Sequence, residues 1–214
     1  MPHFIYITDP MCSWCYGFSP ELQALIASTP DAQLDIIVGG LRPYTEELIP
    51  DQLRHFLHEH WQQVAQASKQ PFVHDGLEHP GFKYDTEPSC RAVVAALHLA
   101  PNLNAAGKMA ILSALQTAFY AEGKNVTQKD VLAAVTSAAL RAQGVEVSEE
   151  QFAAFWESDQ CKNETREHFM QTQRWKVSGF PTLVMEHQEQ LALLTNGYAK
   201  LAQLQERIAA VTNG

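Results

Sequence analysis

Two cysteines separated by two residues, Cys12 and Cys15 in Asp9-Pro10-Met11-Cys12-Ser13-Trp14-Cys15-Tyr16-Gly17-Phe18, are the residues of this sequence best suited to chemistry. Thiols three positions apart close a disulfide, and each can attack a mixed disulfide formed by the other. The motif follows the apolar run Phe4-Ile5-Tyr6-Ile7 and precedes the helical stripe Leu22, Leu25 and Ile26. A C-x-x-C at the first turn of a helix sets its first sulfur over unpaired backbone N–H groups and the positive end of the helix dipole, which favours a thiolate. Cys12 therefore reads as the attacking thiol and Cys15 as the resolving one. A structural zinc site needs a second pair of ligands, and Cys90 and Cys161 stand alone and far apart. No metal site is expected.

The elements that must hold this motif can be read along the chain. Phe4–Ile7 predicts a first strand and Leu34–Val38, closed by Gly39-Gly40, a second, parallel to it across the motif helix. Ser19-Pro20 predicts a restart or kink in that helix. From about residue 43 to 172 the pattern is helical throughout. Leu48, Leu53, Phe56, Leu57, Trp61 and Val64 mark a helix over 47–68, whose His55, His58, Glu59 and His60 read as a solvated polar face. After a loop over 70–88 come helices at about 88–99, 104–122 and 127–141, the last opened by Thr127 as a cap. Ser148-Glu149-Glu150-Gln151 is a capping box opening another helix, and 159–173 predicts one more. The pattern then reverts to strand at Val177–Met185, where Gly179-Phe180-Pro181 suggests a cis peptide at the strand start. A partner strand at Leu191–Leu194, a turn at Asn196-Gly197 and a closing helix over 198–211 follow.

Composition narrows the partners. The 214-residue chain is 46% hydrophobic and 18% charged, with a formal net charge of −9, and its pI is near 5.4. Such an acidic chain has no basic stripe with which to neutralise nucleic-acid phosphates or an anionic membrane. No signal-peptide pattern precedes the first strand and no apolar run is long enough for a bilayer, so a soluble, cytoplasmic protein is expected, as a monomer or homodimer. In a reducing compartment a C-x-x-C is more often catalytic or metal-binding than a structural staple.

The order strand, C-x-x-C helix, strand, helical insertion, X-Pro strand, strand, helix resembles the thioredoxin fold with an inserted helical domain found in the DsbA-like family. It is most similar to the cytosolic FrnE-like branch, relatives of 2-hydroxychromene-2-carboxylate isomerase and the kappa-class glutathione transferases. The resemblance is carried by Asp9–Gly17 and by Val177-Ser178-Gly179-Phe180-Pro181-Thr182, with support from Glu87-Pro88-Ser89-Cys90-Arg91-Ala92. It implies an α/β, thioredoxin-like fold in which 1–42 and 173–214 form a discontinuous thioredoxin-like domain and 43–172 the inserted helical domain. It also implies a cis-proline at Pro181 beside the disulfide, where the Phe180 backbone pairs with an extended substrate or with glutathione. Ser13, Trp14, Gly179 and Phe180 are the candidate substrate-binding residues.

The activity expected is thiol–disulfide exchange on protein or small thiols, with no tightly bound cofactor and with glutathione as redox partner or co-substrate. The alternative is a glutathione-dependent transferase or isomerase acting on a small hydrophobic substrate; a redox-sensing interaction module is the non-enzymatic reading. The dipeptide Ser13-Trp14 replaces the Pro-His of strongly oxidising relatives, so no imidazolium inside the motif stabilises the Cys12 thiolate. In the transferase and isomerase relatives the nucleophile is usually serine, and a dithiol here favours redox exchange. Among secondary residues, Asp9 reads as a cap on the loop and Trp14 as an exposed ring. Cys90 reads as an isolated buried thiol, and Tyr16, Phe18 and Trp175 as core or groove-wall aromatics.

Overall fold

The computed structural model of the protein describes residues 1–213. Its sheet is assembled from both ends of the chain. Strand β1 (His3–Thr8) leads into helix α1 (Ser13–Ala27), and β2 (Gln33–Val38) returns parallel to β1; β3 (Thr182–His187) and β4 (Gln190–Asn196) come from the far end. The order across the sheet is β2-β1-β3-β4, with β3 antiparallel to both of its neighbours. At the open end of the sheet His3 bridges three strands, its ring 2.9 Å from Asp35 on β2 and 2.8 Å from Glu186 on β3.

Between β2 and β3 lie six helices: α2 (Asp51–Ser68), α3 (Glu87–Leu99), α4 (Ala105–Tyr120), α5 (Lys129–Ala142), α6 (Glu149–Glu157) and α7 (Asp159–Arg174). A 3-10 turn at Asp75–Leu77 interrupts the loop after α2, and α8 (Leu201–Asn213) follows β4. Helix α1 packs against α2, α4 and α8, while α3, α4 and α7 reach β2. One continuous apolar core runs from Phe4, Tyr6 and Leu22 through Trp61 and Phe119 to Leu132 and Phe152. The α/β fold with a helical insertion is thus the one expected. Among the described residues no helix is long and apolar enough to cross a membrane.

Several local expectations are corrected. Helix α1 runs unbroken through Pro20, and Ser19 caps nothing: its hydroxyl donates to the Cys15 carbonyl at 3.3 Å and to Gln116 at 2.6 Å. Pro20 has no N–H to give the Tyr16 carbonyl one turn earlier, and the Ser19 hydroxyl bonds the adjacent Cys15 carbonyl instead. Helix α2 begins at Asp51, so Leu48 lies before it and is exposed, and Phe56 faces outward stacked on His60. The polar face read there is partly buried: His58 packs on His74 and His60 meets Trp14. Thr127 bonds Asn125 in a turn, and α5 starts two residues later with Gln128 at the cap position. The Ser148–Gln151 capping box forms as read. Strand β3 starts at Thr182, because Pro181 cannot donate to a ladder.

Candidate active site

The site begins where β1 ends. Asp9 folds the loop back: its Oδ1 accepts the Met11 N–H at 2.8 Å and its carbonyl accepts the Cys12 N–H at 3.0 Å, a side-chain-capped turn. The Tyr84 hydroxyl donates to the Met11 carbonyl at 2.6 Å from the insertion side. Held in this way, Cys12 takes an extended conformation at the N-cap of α1, and Tyr16 N–H closes the first helical bond onto its carbonyl. Cys12 is 6% exposed and Cys15, one turn deeper, 0%.

Opposite Cys12 stands the segment before β3. The Phe180–Pro181 peptide is cis, and the Cys12 thiol reaches the Phe180 carbonyl at 3.7 Å. This segment is pinned by Thr182, whose hydroxyl donates to the Gly179 carbonyl at 2.8 Å, and by Asn196, which donates to Ser178 at 3.0 Å. Gly197 N–H closes onto the Pro181 carbonyl at 2.7 Å. Of the residues singled out in the sequence, Cys12, Cys15, Phe180 and Pro181 therefore come together; Gly179 sits beside them, half-buried. Ser13 is buried. Trp14 is half-buried, not exposed: its ring lies between His60 (centroids 6.0 Å apart) and Tyr198 (5.6 Å). Tyr16 and Phe18 are core, and Trp175 is partly exposed on the other side of the sheet, walling a cavity of about 310 Å³ with Ile5, Ile7 and Leu193.

Four participants carried no clear sequence signal. Gly39, read only as the end of β2, lies under the Phe180 ring: a Cβ there would sit 2.0 Å from Phe180 Cζ, so only glycine lets the ring lie where it does. Its N–H donates to the Thr8 carbonyl at 2.7 Å, tying the end of β2 to the end of β1. Tyr84 and Tyr120 form the buried floor near Cys12, with Tyr120 stacked on Tyr16 at 5.0 Å. Cys90, finally, is buried but not isolated. Its thiol donates at 3.3 Å to Asp9 Oδ2, which also accepts the Leu41 N–H at 2.7 Å. The one clue was its position at the opening of a helix, after Glu87-Pro88. Cys161 sits apart, bonded to the Arg91 carbonyl, and burial pushes its thiol up to about 12.

The electrostatics depart from what the helix terminus alone suggests. The Cys15 thiol hydrogen-bonded to it, burial and the Asp9 charge together hold the Cys12 thiol well above its ordinary range, against the pull of the Cys15 backbone N–H. Burial also raises the Asp9 carboxyl, with the Leu41 and Met11 N–H groups acting the other way. Alkylation of Cys12 by iodoacetamide should accordingly rise only at a pH above that of an unperturbed thiol, near 8.5. In Asp9→Asn the opposing charge is gone, and the profile should move to lower pH. An unchanged profile would reduce Asp9 to its capping bonds.

Residues 5–209 match the DSBA-like thioredoxin domain, and the chain belongs to that family, with its thioredoxin fold carrying a helical insertion. Among solved structures, a candidate protein disulfide isomerase from Nitrosomonas europaea is 30% identical, with a TM-score of 0.84 over 99% of this chain and 98% of that one. The cytosolic disulfide reductase DsbM from Pseudomonas aeruginosa is 26% identical, with a TM-score of 0.74 over 99% and 98%; a second DsbM structure contains glutathione. A 2-hydroxychromene-2-carboxylate isomerase, 15% identical with a TM-score of 0.66 over 99% and 96%, shares the fold. A search of the curated proteins gave no match.

Proposed function

We propose that this protein is a thiol–disulfide oxidoreductase that cycles a Cys12–Cys15 dithiol and disulfide, working chiefly as a reductant. The observation that carries this reading is the placing of the Cys12 sulfur 3.7 Å from the Phe180 carbonyl, with Cys15 wholly buried behind it. A substrate laid in extended form along Phe180 brings its own sulfur against Cys12 and not against Cys15.

In the reducing direction the Cys12 thiolate attacks one sulfur of a substrate disulfide. A mixed disulfide forms, and the other substrate sulfur leaves as a thiolate and takes up a proton. The Cys15 thiolate then attacks Cys12, closing the Cys12–Cys15 disulfide and releasing the second substrate thiol. Two electrons pass from the protein to the substrate, and an external thiol such as glutathione restores the dithiol by the reverse exchange. The site's electrostatics support this direction. Strong oxidants of this chemistry owe their power to a stabilised thiolate in the reduced form, and Cys12 is held the opposite way. The DsbM relative, described as a cytosolic disulfide reductase, supports both the direction and a cytoplasmic setting.

A glutathione redox titration tests this. The state of the pair is read by intact mass after alkylation and by the fluorescence of Trp14, whose ring touches His60 and Tyr198 beside the motif. A reversible two-electron transition is expected at roughly −220 mV or below, nearer the thioredoxin value than the strongly oxidising extreme of about −120 mV. A midpoint near that extreme would reverse the direction. Failure to form the disulfide at any poise would sink the reading and leave the glutathione-dependent transferase or isomerase in its place.

A further inference from the structure

The chain carries a net charge of −9, yet one cavity is lined by three cationic side chains and a single carboxylate. Tyr44, Glu87, Arg91, Lys162 and Arg166 line it, around a volume of about 470 Å³. Arg91 is engaged by Glu87, Nε to Oε1 at 3.0 Å, and lies 3.8 Å over the Trp156 ring. That leaves Lys162 and Arg166, one turn apart on α7, for whatever enters. Lys162 has only a 3.7 Å approach to Asp159, whose carboxylate is almost fully exposed, and Arg166 bonds the neutral Asn163 side chain.

A single short loop joins this cavity to the thiols. Gly39 lies under the Phe180 ring, Gly40 against Phe169, and Leu41 N–H is bonded to Asp9. Three residues further on, Tyr44 meets the Phe169 ring edge-on at 6.2 Å and stands in the cavity. The five steps from Gly39 to Tyr44 can span at most about 17 Å. Tyr44 holds φ at 62°, a left-handed conformation that residues with side chains seldom adopt, and its N–H is fixed to Asp85 Oδ1 at 2.8 Å. Tyr44 is 55% exposed and shares the cavity with the two cations.

We infer that this cavity is a carboxylate anchor for the substrate. It rests on the thiol–disulfide reading: a peptidic disulfide whose sulfur meets Cys12 runs along residues 39–44, packs over Tyr44 and sets a carboxylate between Lys162 and Arg166. The ligand chemistry is a carboxylate on a short extended peptide, supplied by glutathione disulfide or by an acidic protein segment.

The test compares wild type with the double variant Lys162→Ala/Arg166→Ala on oxidised glutathione, on neutral hydroxyethyl disulfide and on cationic cystamine. In the variant the KM for oxidised glutathione should rise roughly three- to tenfold with kcat unchanged, as for two partly exposed ion contacts. The other two substrates should be unaffected, and high salt should erase the difference. Equal changes with all three disulfides, or none with oxidised glutathione, would overturn the anchor. A glutamate-containing peptide disulfide set beside its glutamine counterpart separates the sources: a variant effect confined to oxidised glutathione assigns the anchor to the small molecule. Calorimetric titration of oxidised glutathione into both proteins reads the anchor even if turnover fails. Unequal affinity then sustains it while the redox reading falls, and equal affinity removes it.

Discussion

Replacing Cys12 by Ser is expected to bring disulfide reduction down to background, whereas Cys15→Ser should leave one round of attack and no turnover. An alcohol is not ionised at neutral pH and forms no bond to sulfur that exchange can use, so nothing at position 12 of the first variant can open a substrate disulfide. In the second variant Cys12 still attacks, but the sulfur that would release it is missing, and the mixed disulfide accumulates. Intact mass should show a covalent adduct of one substrate half on Cys15→Ser and none on Cys12→Ser. The opposite pattern, with the adduct on Cys12→Ser, would reverse the assigned roles. The burial of Cys15 behind Cys12 is the reason to expect Cys12 to attack first. Full activity in Cys12→Ser would remove the chemistry altogether.

The second large effect concerns stability. Trp61 of α2 is fully buried, with Phe72 at 5.8 Å, His74 at 5.7 Å, Phe119 at 5.5 Å and Tyr120 at 4.8 Å from its ring. Tyr120 in turn stacks on Tyr16, directly after the second cysteine, so this aromatic box fastens the insertion to the motif helix. Trp61→Ala empties the centre of the box and should cost about 3 kcal/mol, the low end for aromatic-to-alanine truncation in a core. The low end applies because among the described residues the buried indole N–H has no partner, and removing it recovers part of the loss. A fall in Tm of about 6–12 °C follows for a protein of this size, measurable by calorimetry. The exchange activity should survive below the lowered Tm; a Tm shift of a degree or less would mean that the box is not holding the two parts together.

The motif and its support were legible in the sequence where the signal was local. Strand, C-x-x-C and helix follow one another without interruption, the Ser148 box is complete within four residues, and Gly-Phe-Pro marks its own turn. The parallel pairing of β1 and β2 also followed, because a crossover helix between two short apolar runs leaves few other arrangements. What stayed hidden depends on contacts between distant residues. Gly39 looked like the end of a strand because its reason for being glycine is the Phe180 ring, far along the chain. Cys90 looked isolated because its partner is Asp9. Trp14 looked exposed because Tyr198 comes from the closing segment. Even the misread start of α2 has this character: Leu48 fitted an amphipathic stripe, and nothing nearby showed that the helix would begin only at Asp51.

The position of β3 beside β1 has a consequence for how the molecule is made. The central pairing of the sheet joins His3–Ile7 to Thr182–Glu186, so the contacts that complete it are among the most distant in the sequence. Non-local pairings of this kind form late, after the helices between them have gained their local bonds, and during synthesis the N-terminal portion emerges first. On a ribosome, both cysteines of the motif are thus outside the exit tunnel well before Phe180 and Pro181 have been added. The nascent chain carries an unshielded dithiol through most of its own translation, and a purified fragment ending before β3 should expose to alkylating reagents the thiols that the finished fold encloses.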